Sequence, residues 1–363
     1  MILELFKPPQ FNPAPLNIED IRNRMGRVFT YVSSGKAAIY HILRSFKVCD
    51  RILIPAYICP SVLVPLKRLG ISPLFYDINQ EDLNADLESI KIMVKKHKVR
   101  TVLVASLYGN PADLIAIENY CRENDLLMID DAAQSCGATL KGRYVGTFGD
   151  AGFFSFSPGK ATAGHMGGYF WTNNSNYKFP GVKHDLIHLF YYWDYYFNRL
   201  NIYKYKRYGI FMLLNKIKRI ISKCADLYYD QLAEFEKPIL GGILRAVCEG
   251  EYSFREKYNN EFKKRFSDQD KFKVVNALRG IPHNHKIVII MNNCRTVGSF
   301  IKYMKKNGIS ALNGYKPLTD DLADLPNTRE IAGRVVEMPI EDDENKMSYL
   351  FQKVGEYVNG NIN

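Results

Sequence analysis

The chain has 363 residues, 47% hydrophobic and 24% charged, with a formal net charge of +11. At roughly 100–200 residues per domain this length makes two domains, or one large α/β unit with an appendage, and so average a composition excludes disorder over most of it. Seven scattered cysteines, with no Cys-x-x-Cys pair, exclude a disulfide framework and predict a reducing, cytoplasmic setting.

The first half alternates between two kinds of pattern. Gly35–Phe46 is predicted helical, Ile52–Tyr57 is a short apolar strand, and Ser61–Leu69 is a helix stopped by Gly70. Pro73–Asp77 reads as a strand and Asp86–His97 as a helix with a basic last turn, which suits the helix dipole. Thr101–Leu107 is a buried-type strand, Asp113–Asn124 a helix with Asp113 as N-cap, and Leu126–Asp131 a further strand. Such alternation predicts an α/β fold with a mostly parallel sheet covered by helices. Ala151–Ser157 and Gly168–Thr172 read as two more strands. From about residue 250 a smaller α+β unit is expected: helix Phe254–Phe266, strand Lys286–Met291, helix Thr296–Asn307, strand Val335–Ile340 and helix Asn345–Val358. The expected division is therefore 1–250 and 251–363.

The chain opens with an acid and two prolines between Met1 and Pro9, where a signal peptide needs an uninterrupted apolar stretch. No apolar run approaches the roughly 20 residues of a membrane span. The positive charge is concentrated. Residues 177–223 hold ten basic residues against two acids, Asp185 and Asp194, and are crowded with aromatics such as Phe190 to Phe197. The rest of the chain is nearly balanced, so no basic field for nucleic acid extends over it. Within 208–222, apolar residues 210, 213, 214, 217, 220 and 221 fall near helical spacing, with basic residues toward the end. That stretch is an insertion packed on the protein with its charges in solvent, a helix on an anionic membrane surface, or a surface for a phosphorylated substrate.

The familiar nucleotide motifs fail. A P-loop would need glycine at Phe154 or at Thr30, and no Gly-x-Gly-x-x-Gly follows a strand. His184 and His188 have helical spacing but no supporting carboxylate or cysteine pattern, so no metal is expected. Other residues carry more. Asp130 and Asp131 close an apolar strand, where a carboxylate can face a cationic ring nitrogen or simply cap a turn. Lys160 follows a strand ending in Ser155 and Ser157 and a Pro158-Gly159 turn; it is a Schiff-base lysine or a surface one. Ser33, Ser34, Gly35 and Lys36 open a helix with small residues that expose backbone amides to an anion.

Together these segments resemble the DegT/StrS-type sugar aminotransferases, pyridoxal-phosphate enzymes of the aspartate-aminotransferase fold (fold type I). The resemblance rests on Ser34-Gly35-Lys36-Ala37-Ala38, Pro55-Ala56-Tyr57, Leu107 to Asp113, Asp131 to Ser135, Lys141 to Asp150, Phe154 to Lys160, and Gly308-Ile309 with Tyr315 to Leu318. It implies that Lys160 binds the cofactor aldehyde and serves as the base. Asp131 would pair with the pyridine nitrogen, Gln134 would lie near the cofactor's 3′-oxygen, and Tyr57 would stack on the ring. Ser155, with Ser34, Gly35 and Lys36, would hold the phosphate. An amino acid, glutamate in most of the family, would donate nitrogen to a nucleotide-linked keto sugar, and the enzyme would be a homodimer making an amino sugar for a surface polysaccharide or glycoside. Relatives that remove a hydroxyl instead carry histidine where this chain has Lys160.

The departures are specific. His165-Met166-Gly167-Gly168 stands where the family has Gly-Glu-Gly-Gly, which places His165 and Met166, with Tyr315, as substrate-side candidates. The family's Asn-x-Arg segment, expected near 230–245, has no counterpart in Phe235 to Gly242. These losses leave two alternatives beside the aminotransferase: a non-catalytic or regulatory member keeping the fold, or a membrane-surface enzyme acting on a lipid-linked sugar.

Overall fold

The computed structural model describes residues 3, 18–157, 159–160, 167–179, 213 and 253–360. His165, Met166 and the aromatic-basic stretch beyond Phe179 (Leu213 apart) lie outside the described residues.

Helix α1 (Ile18–Met25) leads into β1 (Thr30–Val32) and α2 (Gly35–Ser45). Ser34 caps α2, its hydroxyl accepting from Ala37 N at 3.2 Å. Strand β2 (Arg51–Pro55) is followed by a 3₁₀ turn (Pro60–Val62) and α3 (Leu63–Leu69), which ends at Gly70 in the left-handed region, φ 69°. Glycine takes that conformation without a Cβ clash. Then come β3 (Ser72–Tyr76), α4 (Leu87–His97), β4 (Thr101–Ala105), α5 (Leu114–Glu123) and β5 (Leu127–Asp131). Asp86 and Asp113 cap α4 and α5 through their carboxylates. A small hairpin, β6 (Thr139–Leu140) and β7 (Arg143–Tyr144), precedes β8 (Ala151–Ser155) and β9 (Gly168–Thr172).

Seven of these strands form one sheet in the order β1-β9-β8-β5-β4-β2-β3. The pairs β2/β3, β2/β4, β4/β5 and β5/β8 are parallel, while β9 runs antiparallel to both β8 and β1. The predicted mostly parallel α/β sheet is therefore present. Strands β4 and β8 are buried along their whole length, as expected when apolar layers cover both faces of a parallel sheet. One layer includes Val102, Val104, Ile117 and Phe154; the other includes Ile39, Ile42, Ile54 and Phe153.

The described residues from 253 onward build a second sheet. Helix α6 (Ser253–Phe266) precedes β10 (Phe272–Val274) and β11 (Lys286–Met291), and α7 (Cys294–Lys306) follows. Short β12 (Leu312–Asn313), α8 (Pro326–Ile331), β13 (Val335–Pro339) and α9 (Glu344–Val358) complete it. The antiparallel order is β10-β11-β13-β12. Its own core joins Phe262, Phe300 and Phe351 to Ile287, Ile289 and Met338. The short elements β1, β6, β7, β10, β12 and α8 are not predicted from the sequence, each of six residues or fewer and too short for a hydrophobic period to register, nor is the eight-residue α1. Tyr177 and Phe179, the described start of the aromatic stretch, pack on His41 of α2, and Tyr177 OH lies 2.7 Å from His41 Nδ1. No helix among the described residues is long and apolar enough to cross a membrane.

Two glycines give a paired test of packing. A Cβ on Gly152 of β8 would lie 2.2 Å from Gly146 O and 2.8 Å from the indole nitrogen of Trp171, which donates to that carbonyl. Gly298 in α7 has nothing within 4 Å of such an atom. Gly152→Ala should lower stability to urea by about 1–3 kcal/mol through overpacking, whereas Gly298→Ala should raise it by about 0.5–1 kcal/mol through helix propensity.

Candidate active site

The parallel strands end together, and the chemically distinctive residues sit at those ends. Asp131 is the last residue of β5, Ser155 the last of β8, and Tyr57 lies two residues beyond β2. Ligands of open α/β sheets bind at such carboxyl edges because backbone and loops converge there while the strand interiors are filled.

Asp131 is 6% exposed. Its Oδ1 accepts from Ala133 N at 2.9 Å. Burial raises its carboxyl to about 6, opposed by that backbone N–H and by the positive charge of Lys160. The structure therefore brings Lys160 into electrostatic reach of Asp131, 29 positions earlier in the sequence. Lys160 itself is half-buried, with its backbone N donating to Ser157 O at 3.2 Å. Neighbouring Asp130 does a different job. Its Oδ2 accepts from Gly146 N (2.6 Å) and Phe148 N (3.1 Å), clamping the loop before β8. Its Oδ1 has no partner among the described residues, and burial, with Asp131 adding to it, pushes its carboxyl up to about 7.

Gln134 is held at both ends. Its Oε1 accepts from Tyr108 N at 3.1 Å, and its Nε2 donates to Tyr315 OH at 2.6 Å. Ser34, Gly35 and Ser155 form a small cradle: a Cβ on Gly35 would fall 3.0 Å from Ser155 Cβ, and one on Gly168 would come 3.4 Å from Gly35 N. The first turn of α2 carries no acid, so its amide end is open to a negative charge. Lys36 is half-buried, and its ammonium is lowered from the usual range by loss of water. It does not stand freely in solvent.

Tyr57 requires a correction. Its ring is wholly buried, and its hydroxyl lies 2.8 Å from Tyr108 OH and accepts from Tyr315 N at 3.2 Å. A ring with no open face lies beneath the site, not on it. Burial drives its phenol far above the usual value. The half-buried member of that cluster is Tyr315, edge-on to Tyr57 with ring centroids 5.7 Å apart.

The structure adds three residues that sequence reading missed. Tyr108 has φ 58°, a left-handed conformation that a bulky residue adopts only when its surroundings over-determine it. Its hydroxyl donates to Glu337 Oε1 at 3.1 Å, and Glu337 Oε2 takes the ammonium of Lys286. This links the site to β11 and β13 of the second sheet. Tyr108 lay inside the quoted Leu107–Asp113 motif; nothing in the sequence marked Lys286 or Glu337. No group of three or more His, Cys, Asp or Glu among the described residues could hold a metal.

Fold and site together define an α/β scaffold whose charged and polar residues gather at the carboxyl edge of a parallel sheet. Residues 26–179 match the model of the DegT/DnrJ/EryC1/StrS aminotransferase family. The chain is 29% identical over 147 residues to GDP-perosamine synthase of Vibrio cholerae, which is 40% of this chain and 40% of that protein. The matched stretch thus spans about two fifths of that curated relative. The fold likeness is longer. Helicobacter pylori PseC, an aminotransferase in pseudoaminic acid biosynthesis, superposes with TM-score 0.73 at 14% identity over 99% of this chain and 100% of its own. The E. coli GDP-4-keto-6-deoxy-D-mannose-3-dehydratase with bound hydrated PLP does so with TM-score 0.66 at 19% identity, over 92% and 90%.

Two outcomes test the electrostatics. A carboxyl whose value is raised on folding keeps its proton while the unfolded chain loses it, so stability falls as pH climbs from about 4 to about 7. Asp130→Asn should flatten that fall in a series of urea midpoints against pH. Lys286 and Glu337 are 8% and 5% exposed. Glu337→Gln leaves a buried ammonium uncompensated and should cost about 3–5 kcal/mol in the same assay.

Proposed function

We propose that this protein is a pyridoxal-phosphate-dependent aminotransferase that moves an amino group from an amino acid, glutamate in this reading, to a keto sugar carried on a nucleotide. The observation that carries the proposal is buried Asp131 at the carboxyl edge of the sheet with Lys160 in electrostatic reach of it, in a stretch that matches an aminotransferase family. When bound, pyridoxal phosphate supplies an aldehyde for the nitrogen and a ring that draws off the electron pair left on the substrate carbon.

The residues fit that group. Asp131 has Oδ1 engaged by Ala133 N, and its remaining oxygen is the one to face a protonated ring nitrogen. A cationic N–H there would favour the ionised carboxylate and offset the burial that raises it. Gln134, fixed between Tyr108 and Tyr315, presents a preset amide to a ring hydroxyl. Ser34, Gly35, Lys36 and Ser155 would hold the phosphate, where the amides of α2 and the Lys36 ammonium would offset its charge. The Lys160 amine takes and returns the proton at the substrate carbon that bears the nitrogen. A lysine can perform that transfer and also accept the cofactor aldehyde; histidine can do only the first. Lys160 therefore supports transamination over dehydration. The acceptor class is supported by the V. cholerae relative, named as a synthase of a GDP-linked amino sugar. The homodimer implied by the family resemblance belongs to the same proposal.

The test is the visible spectrum of the purified protein with added pyridoxal phosphate, before and after glutamate. A band that forms with the wild type and bleaches with glutamate is expected. Lys160→Ala should lack that band and lose turnover by at least about a thousandfold, the scale of a positioned acid–base group. No band in the wild type would replace this reading with a non-catalytic scaffold.

A further inference from the structure

One buried group takes no part in the proposed chemistry. His285 immediately precedes β11 and is 8% exposed, and both of its ring nitrogens are buried with no hydrogen-bond partner among the described residues. Buried polar atoms are nearly always satisfied, because an unmet donor or acceptor costs its full desolvation. A residue kept only for packing would avoid that cost.

The surroundings of His285 are cationic. Lys286 follows it on β11. Arg255 of α6 approaches with its Nη1 3.0 Å from Nδ1 of His283. Lys160, on the connection between β8 and β9, adds the weakest of the positive charges felt at the His285 ring. Burial first, and then the charges of Lys286, Arg255, His283 and Lys160, hold the imidazole well below its ordinary range, so it is neutral near pH 7. The Lys286 ammonium is met by Glu337. An incoming anion would meet the two bare nitrogens of His285, with the charges of Arg255 and Lys160 attracting it from farther off. The segment is held firmly: His283 N donates to Gly109 O at 2.9 Å, and Asn259 Nδ2 donates to Asn284 Oδ1 at 3.1 Å.

We propose that His285, backed by Arg255 and His283, seats an anionic oxygen group of a substrate beside Lys160. The group is either a carboxylate of the amino donor or a phosphate of the sugar acceptor, and in naming these the inference rests on the aminotransferase reading. Chemistry favours an anion over a neutral group for two reasons. It supplies the acceptor the imidazole lacks, and it offsets the cations that keep the imidazole neutral. Its arrival should therefore draw a proton onto His285. Affinity is then strongest at low pH and weakens as pH rises, by up to about tenfold per unit while a full proton is taken up.

The test is calorimetric titration of the purified full chain with glutarate and, separately, with uridine diphosphate, in buffers of different ionisation enthalpy. One probe should bind the wild type with proton uptake. His285→Gln should weaken that probe by about tenfold or more, the scale of a lost charge-assisted hydrogen bond, and abolish the uptake. Glutarate as the affected probe assigns the donor carboxylate; uridine diphosphate assigns the acceptor phosphate. Unchanged affinity and proton count in the variant, or no proton-linked binding of either probe to the wild type, overturns the proposal. Should His285→Gln fail to fold, Arg255→Gln carries the comparison and must weaken the same probe. Since the readout is binding and proton count, a wild type that forms no cofactor band sinks the aminotransferase reading by itself, without deciding the anion site.

Discussion

The arrangement of the site follows from a single constraint: a carboxylate buried at the end of a strand must be met by something. Asp131 sits where β5 leaves the sheet, almost without water, with one backbone N–H and the charge of Lys160 opposing the cost. Opposite charge is the cheapest remedy for a desolvated carboxylate, and the connection between β8 and β9 brings the lysine to it. Asp130, one residue earlier, points to the opposite side of the strand, as strand geometry requires. There it binds two backbone amides of the loop that precedes β8. One adjacent pair of acids thus aligns two successive strands and also polarises the site between them.

A second chain of contacts ties this edge to the other sheet. Gln134 leans on Tyr108 and Tyr315, Tyr57 lies under both, and Tyr108 reaches Glu337, which takes Lys286. A buried ion pair gains little over a hydrophobic equivalent, but it is severely penalised when either partner is missing. Here it holds the C-terminal sheet in one register against the tyrosines. The left-handed backbone at Tyr108 is the strain that this fit sustains. His285 lies at the same junction, one residue before Lys286, so the junction both supports the site and can take part in it.

Much of the first sheet was legible before any coordinates. Asp86 and Asp113 announced two helices, Gly70 ended a third, and the apolar runs at 101–107 and 126–131 marked strands, the first of them of buried type. These signals are local, and local chemistry decides them. The motifs around Ser34, Asp131 and Lys160 pointed to one edge of the sheet for a related reason: in a parallel sheet, every strand's carboxyl end lies on the same side. Tyr57 was misread because a motif names a residue without saying which side of it is covered.

The sequence by itself determined the alternation of elements, the parallel sheet and the presence of a lysine and a carboxylate suited to one another. Each depends on periodicity, on capping or on residue type over a few positions. Only the tertiary structure decided what surrounds them. Tyr108 and Glu337 are 229 positions apart, and no pattern in either neighbourhood refers to the other. The pairing of Lys286 with Glu337, the covering of Tyr57 and the bare nitrogens of His285 arise when two separately built sheets close on each other. Burial, which sets the cost of every charge in the site, exists only after that closure.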